Sequence, residues 1–131
     1  MSNPNHIFFY GTLMCPQVYQ AVTEEQLVAQ PAVLKGYQVF SLKNRVYPGI
    51  IHEATSEVPG LLVKVNDQLI RRLDYFEGSE YERKALSVFS NQNKSIEAWV
   101  YVLKDSHLHI LDTPTWNYDH FLQSNLEEYL R

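Results

Sequence analysis

The apolar stretches of this sequence are mostly short and extended, and this pattern limits the possible folds more than any other feature. Apolar runs or apolar–polar alternation predict strands at residues 6–10, 33–42, 50–51, 59–65, 82–90 and 95–103. Helical spacing is found at residues 17–30, at residues 67–77 and after Pro114. Because several strands follow one another without a helix between them, we predict an α+β fold with a mainly antiparallel, barrel-like sheet rather than a doubly wound parallel one.

Length and composition predict one folded domain. The chain has 131 residues, of which 45% are apolar and 20% charged, so it can bury a core without disulfides or metals. We therefore predict a single domain over residues 1–131 with a C-terminal helical extension from about residue 113. The 11 basic and 15 acidic residues give a net charge of −4, which argues against nucleic acid as a partner because no basic stripe neutralises phosphates.

The N-terminus and the cysteine content bear on the location of the protein. Residues 1–5 carry no basic segment and no long apolar stretch follows them, so we expect neither a signal peptide nor a membrane span. Cys15 is the only cysteine, which excludes an internal disulfide and a zinc site built from cysteines. We therefore expect a cytoplasmic protein without a membrane partner, and the sequence leaves its oligomeric state open.

The first stretch that can carry chemistry is Tyr10-Gly11-Thr12-Leu13, directly after the first predicted strand. A glycine at the end of a strand lets the backbone turn and lets a ligand approach the main chain closely. Successive N–H groups in such a turn can bind an anion or a developing oxyanion. The same four residues also fit an ordinary strand-to-helix turn.

The second stretch is the end of the helix predicted after Asn66. Asn66 is a suitable N-cap, and Gly78 is typical of the position just past a helix. Glu77 then lies at the negative end of the helix dipole and close to Asp74, and both the like charge and aromatic neighbours raise the pKa of a carboxyl. Such a carboxylate suits a general base, but a solvated glutamate at a helix end fits the same pattern.

Aromatic and basic residues around these stretches complete the candidate site. Tyr47 begins the tight turn at residues 47–49, where its ring can cover a ligand or plug the end of a barrel. Tyr81 and Arg83 are two residues apart at the start of a strand. We expect Tyr81 to line the same pocket as Tyr47. We expect Arg83 to support the structure by binding the carbonyl groups left free at the helix end, or by pairing with Asp74 or Glu77.

Other reactive side chains form weaker patterns. His107 and His109 can share one face as metal ligands, but no third ligand lies near them in sequence, which favours exposed loop histidines. Cys15 has no sequence feature that supplies a base. Asp74 and Glu77 lie side by side on a helix rather than on opposite sides of a sugar, which argues against a glycosidase pair.

Taken together, three motifs resemble the gamma-glutamylcyclotransferase-like family, and most closely its plant and bacterial avirulence-induced-gene-like branch. They are Tyr10-Gly11-Thr12-Leu13, Tyr47-Pro48-Gly49 and Leu73-Asp74-x-Phe76-Glu77-Gly78-x-x-Tyr81-x-Arg83. The resemblance covers about residues 7–103. It implies a small mixed barrel with helices packed around it, in agreement with the strand pattern.

The resemblance also implies a reaction. In the enzymes of that family, the loop matching residues 10–13 holds the gamma-glutamyl head group through backbone amides, and the glutamate matching Glu77 is the acid/base. The substrate's alpha-amino group attacks its own gamma carbonyl, 5-oxoproline forms and the amine leaves. This chemistry requires neither a metal nor another cofactor, and the implied partner is a small gamma-glutamyl compound.

Two alternatives stay open at this point. One is a non-catalytic domain of the same fold that binds a small amino-acid-like ligand, and the other is a lyase that releases the amine from another gamma-glutamyl conjugate. The sequence departs from several family members at Met14-Cys15-Pro16, where they have a basic residue. It does not identify the leaving amine.

Overall fold

The computed structural model describes residues 3–131, which form five strands, four α-helices and three short 3₁₀ helices. The strands are β1 (His6–Phe9), β2 (Ala29–Ser41), β3 (Pro48–Lys64), β4 (Tyr81–Ser90) and β5 (Ser95–Leu103). The α-helices are α1 (Pro16–Thr23), α2 (Asp67–Glu77), α3 (Tyr118–Ser124) and α4 (Leu126–Tyr129). The 3₁₀ helices are Thr12–Met14, Gly78–Glu80 and Asp105–Ile110. Met1 and Ser2, part of the segment used above to argue against a signal peptide, lie outside the described residues.

The strands close into a barrel in the order β1-β3-β2-β4-β5. Neighbouring strands are antiparallel except where β1 and β5 meet, with Ile7 opposite Trp99 in a parallel pair. That one parallel contact makes the barrel mixed and closes it. The predicted α+β fold with a mainly antiparallel barrel is therefore confirmed.

Strand β1 is buried on both of its faces. Phe8 belongs to an apolar cluster contributed by all five strands, whereas Ile7 and Phe9 belong to a second cluster shared with the helices. Successive side chains of a strand point to opposite faces, so this one short strand joins the two parts of the core. The chain leaves β1 at the point where both clusters meet, and the candidate site lies there.

Strands β2 and β3 form one long bent hairpin. The sequence predicted separate strands at residues 50–51 and 59–65, and this was wrong, because pairing with β2 keeps the polar residues between them extended. The predicted irregularity near Gly36 is confirmed. The register shifts between Lys35 and Tyr37, and Gly36 has a φ of +85°, which side chains with a Cβ rarely adopt.

Helix α1 is shorter than the predicted helix over residues 17–30. It ends at Thr23, and Glu24 adopts a left-handed conformation with a φ of +63°. Residues 29–30 already belong to β2. Pro31 was expected to close the helix, but it lies inside β2, where β4 pairs only from Ala32 onward, so its missing N–H disturbs little of the sheet.

Helix α2 and the hairpin after it agree with the sequence. The Asn66 side chain accepts a hydrogen bond from the Leu69 N–H at 2.9 Å, and Gly78 follows the helix with a φ of +78°. Leu69 and Leu73 are buried in the cluster shared with α1. Both predicted strands after the helix are present, as β4 and β5. These elements place Glu77 at the C-terminal end of α2.

The C-terminal part contains two short helices instead of the one amphipathic helix predicted after Pro114. The helical structure is interrupted at Asn125, between α3 and α4. Trp116 anchors this part by donating a hydrogen bond from Nε1 to the Val46 carbonyl at 2.9 Å, and Phe121 is buried in the core. None of the helices in residues 3–131 has the length and apolar character that crossing a bilayer requires.

Candidate active site

A small cavity, here called the inner cavity, lies where the loop after β1 meets the end of α2. Its volume is about 30 Å³. It is lined by Phe8, Phe9, Tyr10, Gly11, Thr12, Leu13, Tyr47, Pro48, Glu77, Tyr81 and Tyr101. The structure thus brings together the predicted catalytic residue and the residues predicted to bind substrate, and it leaves Arg83 outside the lining.

The loop after β1 offers backbone N–H groups to this cavity. In this 3₁₀ turn, the Met14 N–H donates to the Gly11 carbonyl at 3.0 Å, and the Cys15 N–H donates to the Thr12 carbonyl at 3.1 Å. Within residues 3–131, the N–H groups of Gly11, Thr12 and Leu13 donate no hydrogen bond. Free N–H groups at the start of such a turn can bind an anion.

Gly11 packs closely against the turn at residues 47–49. A Cβ at this position would lie 3.0 Å from both Cγ and Cδ of Pro48. The absence of a side chain at Gly11 therefore allows this close approach. The sequence predicted that this glycine lets a ligand approach the backbone, and the structure shows that it also brings the two loops of the cavity together.

Glu77 is the last residue of α2 and is half-buried at the wall of the cavity. Burial, with a smaller contribution from the charge of Asp74, raises the pKa of Glu77 to about 8. Within residues 3–131, no side chain or backbone group donates a hydrogen bond to its carboxylate. This carboxyl group therefore lacks the contacts that would stabilise its charged form.

Asp74, one turn earlier, is held by several partners. Arg83 donates to its two oxygens from Nε at 2.9 Å and from Nη2 at 3.2 Å, and the Tyr101 hydroxyl donates at 2.7 Å. The Arg83 guanidinium also lies over the ring of Trp99, 4.1 Å from its centroid. Arg83 therefore binds a carboxylate, which its planar fork fits well, and the contact expected with the helix-end carbonyls is not formed.

Glu80, just after α2, is also paired. Arg45 donates to it from Nε at 2.9 Å and from Nη2 at 2.6 Å, and the Tyr47 hydroxyl donates at 2.6 Å. Burial alone would raise the pKa of Glu80, but the hydrogen bonds from Tyr47 and Arg45 lower it below its ordinary value. Burial and the bond to Glu80 raise the pKa of Tyr47 to about 12. The Tyr47 hydroxyl is thus a donor fixed by Glu80.

The other tyrosines of the cavity are fixed in the same way. The Tyr81 hydroxyl donates to the Pro48 carbonyl at 2.6 Å, and the Tyr10 hydroxyl donates to the Tyr101 carbonyl at 2.6 Å. The ring centroids of Tyr47 and Tyr81 lie 6.3 Å apart. Burial raises the pKa of both Tyr10 and Tyr81, so both hydroxyls stay neutral. The cavity is therefore preformed, because its rings are held by bonds to the barrel.

A second, outer compartment adjoins the inner cavity. It has a volume of about 90 Å³ and is lined by Thr12, Tyr47, Phe76, Glu77, Tyr81 and Tyr129. Thr12, Tyr47, Glu77 and Tyr81 line both spaces. Glu77 therefore lies on the boundary between them.

Sequence reasoning missed Tyr101, Arg45 and Tyr129. Tyr101 lies opposite Arg83 in the register of β4 and β5, so exact strand pairing would have placed it near the site. Arg45 is in a loop and reaches Glu80 only through the tertiary structure. Tyr129 was assigned to a C-terminal helix, but no local pattern indicates that this helix covers the cavity.

The weaker candidates lie away from the cavity. His107 and His109 stack with ring centroids 6.0 Å apart in a 3₁₀ helix, not in an extended segment. Cys15 is buried and its thiol donates to the Gln17 side chain at 3.0 Å. Across residues 3–131, no group of three or more His, Cys, Asp or Glu side chains is placed to hold a metal ion.

The sequence matches the model of the family described as gamma-glutamyl cyclotransferase, AIG2-like, over residues 7–118. It is 31% identical to AIG2-like protein C of Arabidopsis thaliana over 130 residues, which cover 95% of this chain and 73% of that protein. It is also 31% identical to protein AIG2 C of Arabidopsis thaliana over 105 residues. That match covers 77% of this chain but only 64% of the relative, so the chain spans under two thirds of that protein's length.

Solved structures share the fold. An Arabidopsis thaliana protein solved in solution has a TM-score of 0.74 at 24% identity, over 98% of this chain and 87% of that one. A structure described as gamma-glutamyl cyclotransferase has a TM-score of 0.71 at 17% identity, over 98% and 86%. An AIG2-like protein from Mus musculus has a TM-score of 0.69 at 22% identity, over 88% and 90%. At these identities the likeness is one of fold, the closed barrel with its surrounding helices.

Proposed function

The chain belongs to the gamma-glutamyl cyclotransferase, AIG2-like family, and from this premise we propose that it is a metal-independent gamma-glutamylcyclotransferase. Its substrate is a gamma-glutamyl amine or amide, and its products are 5-oxoproline and the free amine. One observation carries the proposal. Glu77, a half-buried carboxyl with a raised pKa and no bonding partner within residues 3–131, shares a cavity with the free N–H groups of the loop after β1.

The reaction needs one base and one acid, and Glu77 serves as both. Its carboxylate takes a proton from the substrate's alpha-ammonium group. The resulting amine attacks the gamma carbonyl carbon, forming the ring C–N bond and a tetrahedral intermediate. Collapse of the intermediate breaks the bond to the leaving amine, which receives a proton from the Glu77 carboxyl, so that the residue returns to its starting state. The ring nitrogen gives its second proton to the freed amine, which leaves as an ammonium ion.

The raised pKa of Glu77 suits this double role. A peptide alpha-amino group has a pKa of about 8, the free carboxylate beside the substrate's amine raises that pKa further, and burial raises the pKa of Glu77 to about 8. The raised pKa of Glu77 brings the carboxyl closer to the pKa of the amine than an ordinary glutamate, which lowers the cost of accepting the proton. An incoming ammonium group also favours the charged carboxylate, because opposite charges attract in a poorly solvated site.

The remaining groups bind and position the substrate. The N–H groups of Gly11, Thr12 and Leu13 hold the oxyanion that forms at the gamma carbonyl, and such preorganised donors stabilise a developing charge strongly. The rings of Tyr47 and Tyr81 narrow the cavity and hold the flexible glutamyl chain in a folded shape, with the amine near the carbonyl.

The test is a screen for 5-oxoproline release, followed by mass spectrometry. The panel contains gamma-glutamyl amines, gamma-glutamyl dipeptides and glutathione, and Glu77→Gln serves as the inactive control. We expect wild type to release 5-oxoproline and the amine in equal amounts from at least one compound. No release from any compound, together with a raised Tm on adding one, would replace this proposal with a binding domain.

A further inference from the structure

The outer compartment is closed by a residue outside the family match. The match ends at residue 118, whereas Tyr129 lies in α4, the last helix of the chain. Tyr129 lines the compartment together with Glu77 and Phe76. The wall that it forms is therefore built by the C-terminal part of this chain, beyond the segment that carries the family motifs.

Tyr129 is held firmly in this position. Its hydroxyl lies 3.2 Å from the Thr12 hydroxyl, in the loop proposed to bind the substrate. Its ring packs edge-on against Phe121 at 5.3 Å and against Phe76 at 6.3 Å between centroids. A side chain fixed at its tip and on two sides keeps its place when a ligand enters, so it can exclude a group that is too large.

The position of the leaving amine follows from the arrangement of the inner cavity and the outer compartment. The reacting amide bond must reach both Glu77 and the loop at residues 10–13, so it lies at the boundary that Glu77 and Thr12 share. With the glutamyl head group against the loop at residues 10–13, the leaving amine points toward the outer compartment, which Tyr129 lines.

We propose that Tyr129 is a specificity-determining residue, because its ring limits the leaving amine to a compact group. This inference rests on the proposed function. The Tyr129 ring, held by Thr12, Phe76 and Phe121, takes up space beside Glu77 that a bulky leaving amine would need. We therefore expect wild type to prefer a short aliphatic amine over one that carries an aromatic ring.

The experiment compares two substrates in wild type and in Tyr129 variants. The substrates are gamma-glutamyl ethylamide and gamma-glutamyl benzylamide, and the readout is the ratio of their kcat/KM values for 5-oxoproline release. In Tyr129→Ala we expect the ratio to move toward the benzylamide by at least about tenfold, as expected for the opening of an apolar pocket. In Tyr129→Phe, which keeps the ring, the ratio should stay within about twofold of wild type.

A matched control distinguishes a residue that limits the size of the leaving amine from a residue that only contributes to packing. Tyr118 lies in the same C-terminal segment and packs against the same core, but it does not line the compartment. Tyr118→Ala should leave the substrate ratio unchanged even when it lowers stability. If Tyr129→Ala does not fold, Tyr129→Leu keeps more of the packing and should move the ratio in the same direction.

The outcome also distinguishes this inference from the proposed function. If wild type is active and the alanine and leucine variants keep its substrate ratio, Tyr129 does not set specificity and only the inference fails. If wild type releases no 5-oxoproline, the proposed function fails. The two compounds are then unreacted ligands whose dissociation constants, measured by calorimetry, test the same change in ratio between wild type and Tyr129→Ala.

Discussion

The end of α2 carries two kinds of carboxylate, and their surroundings differ sharply. Asp74 and Glu80 are each bound by an arginine, Arg83 and Arg45, at 2.6–3.2 Å. Glu77, midway between them in sequence, faces the cavity with no such partner within residues 3–131. The cations near this helix end are thus occupied by the flanking acids, and the acid between them keeps a raised pKa.

This difference indicates how the chain holds an uncompensated carboxyl in place. Two anchored neighbours fix the helix end to β4 and to the loop at residue 45, so Glu77 stays at the cavity without bonds of its own. An arginine bound to Glu77 would position it equally well but would lower its pKa. Positioning and proton affinity are therefore supplied by different residues.

The largest effect is expected when Glu77 is replaced by glutamine. Glu77→Gln keeps the shape of the side chain and removes its proton-accepting group. We expect turnover to fall by about 100- to 10,000-fold, the range for a lost general base, and substrate affinity to fall much less, because the N–H groups at residues 10–13 still hold the head group. Steady-state kinetics and calorimetry measure the two quantities.

Glu82→Gln is the matched control, because Glu82 is an exposed carboxylate of β4. It makes the same chemical change away from the cavity and should retain wild-type turnover. Normal turnover in Glu77→Gln would remove Glu77 from the mechanism and end the functional distinction between the free and the paired carboxylates.

Glu77→Gln should also change how the free energy of unfolding depends on pH. The pKa of Glu77 is about 8 in the folded protein and 4.5 in the unfolded chain. Between pH 4.5 and pH 8, the Glu77 carboxyl is therefore protonated in the folded state and ionised in the unfolded state. Its favourable contribution is complete below pH 4.5 and is lost as pH rises to about 8. Relative to wild type, Glu77→Gln should therefore gain about 4 kcal/mol between pH 5 and pH 8.5, because about three pH units of this range lie below the folded pKa at roughly 1.4 kcal/mol each.

Urea unfolding at both pH values gives this difference. Glu82→Gln should show no such pH-dependent gain. Equal shifts for Glu77→Gln at pH 5 and pH 8.5 would mean that Glu77 titrates as an ordinary solvated acid.

Removing a flanking charge should lower the pKa of Glu77. In Asp74→Asn the negative charge that helps to raise this pKa is gone. We expect the acidic limb of the kcat/KM profile to move to lower pH. Loss of the charged contacts with Arg83 should cost about 1 kcal/mol of stability, a modest amount because Asp74 is 40% exposed. An unmoved acidic limb would show that Asp74 does not act on Glu77.

How much of this site is predictable from the sequence depends on how local each signal is. Glu77 could be placed at a helix end because Asn66 and Gly78 mark both ends within one segment. The partner of Arg83 could not be chosen, since that choice depends on the packing of β4 against α2.

The predictability of the secondary structure depends on the same distinction between local and long-range signals. The hairpin of β4 and β5 follows from its own residues, which carry the alternation and the polar turn. The end of α1 and the continuity of β3 depend on pairing between distant strands. Residues 29–30 belong to the stretch predicted as helical, yet they join β2 because they pair with β3.

The smallest effect is expected at the contact that holds Glu80. Tyr47→Phe removes the hydroxyl that donates to Glu80 at 2.6 Å but keeps the ring that lines the cavity. Arg45 still binds this carboxylate, so we expect a loss of about 0.5–1.5 kcal/mol, the usual net value of one hydrogen bond, and a higher pKa for Glu80. Turnover should fall by less than about tenfold, because the hydroxyl acts on a paired acid and not on Glu77. Thermal unfolding and kinetics on the same preparation measure both effects. A loss of turnover as large as that of Glu77→Gln would show that the Tyr47 hydroxyl takes part in the reaction, and the flanking contacts could then no longer be described as positioning alone.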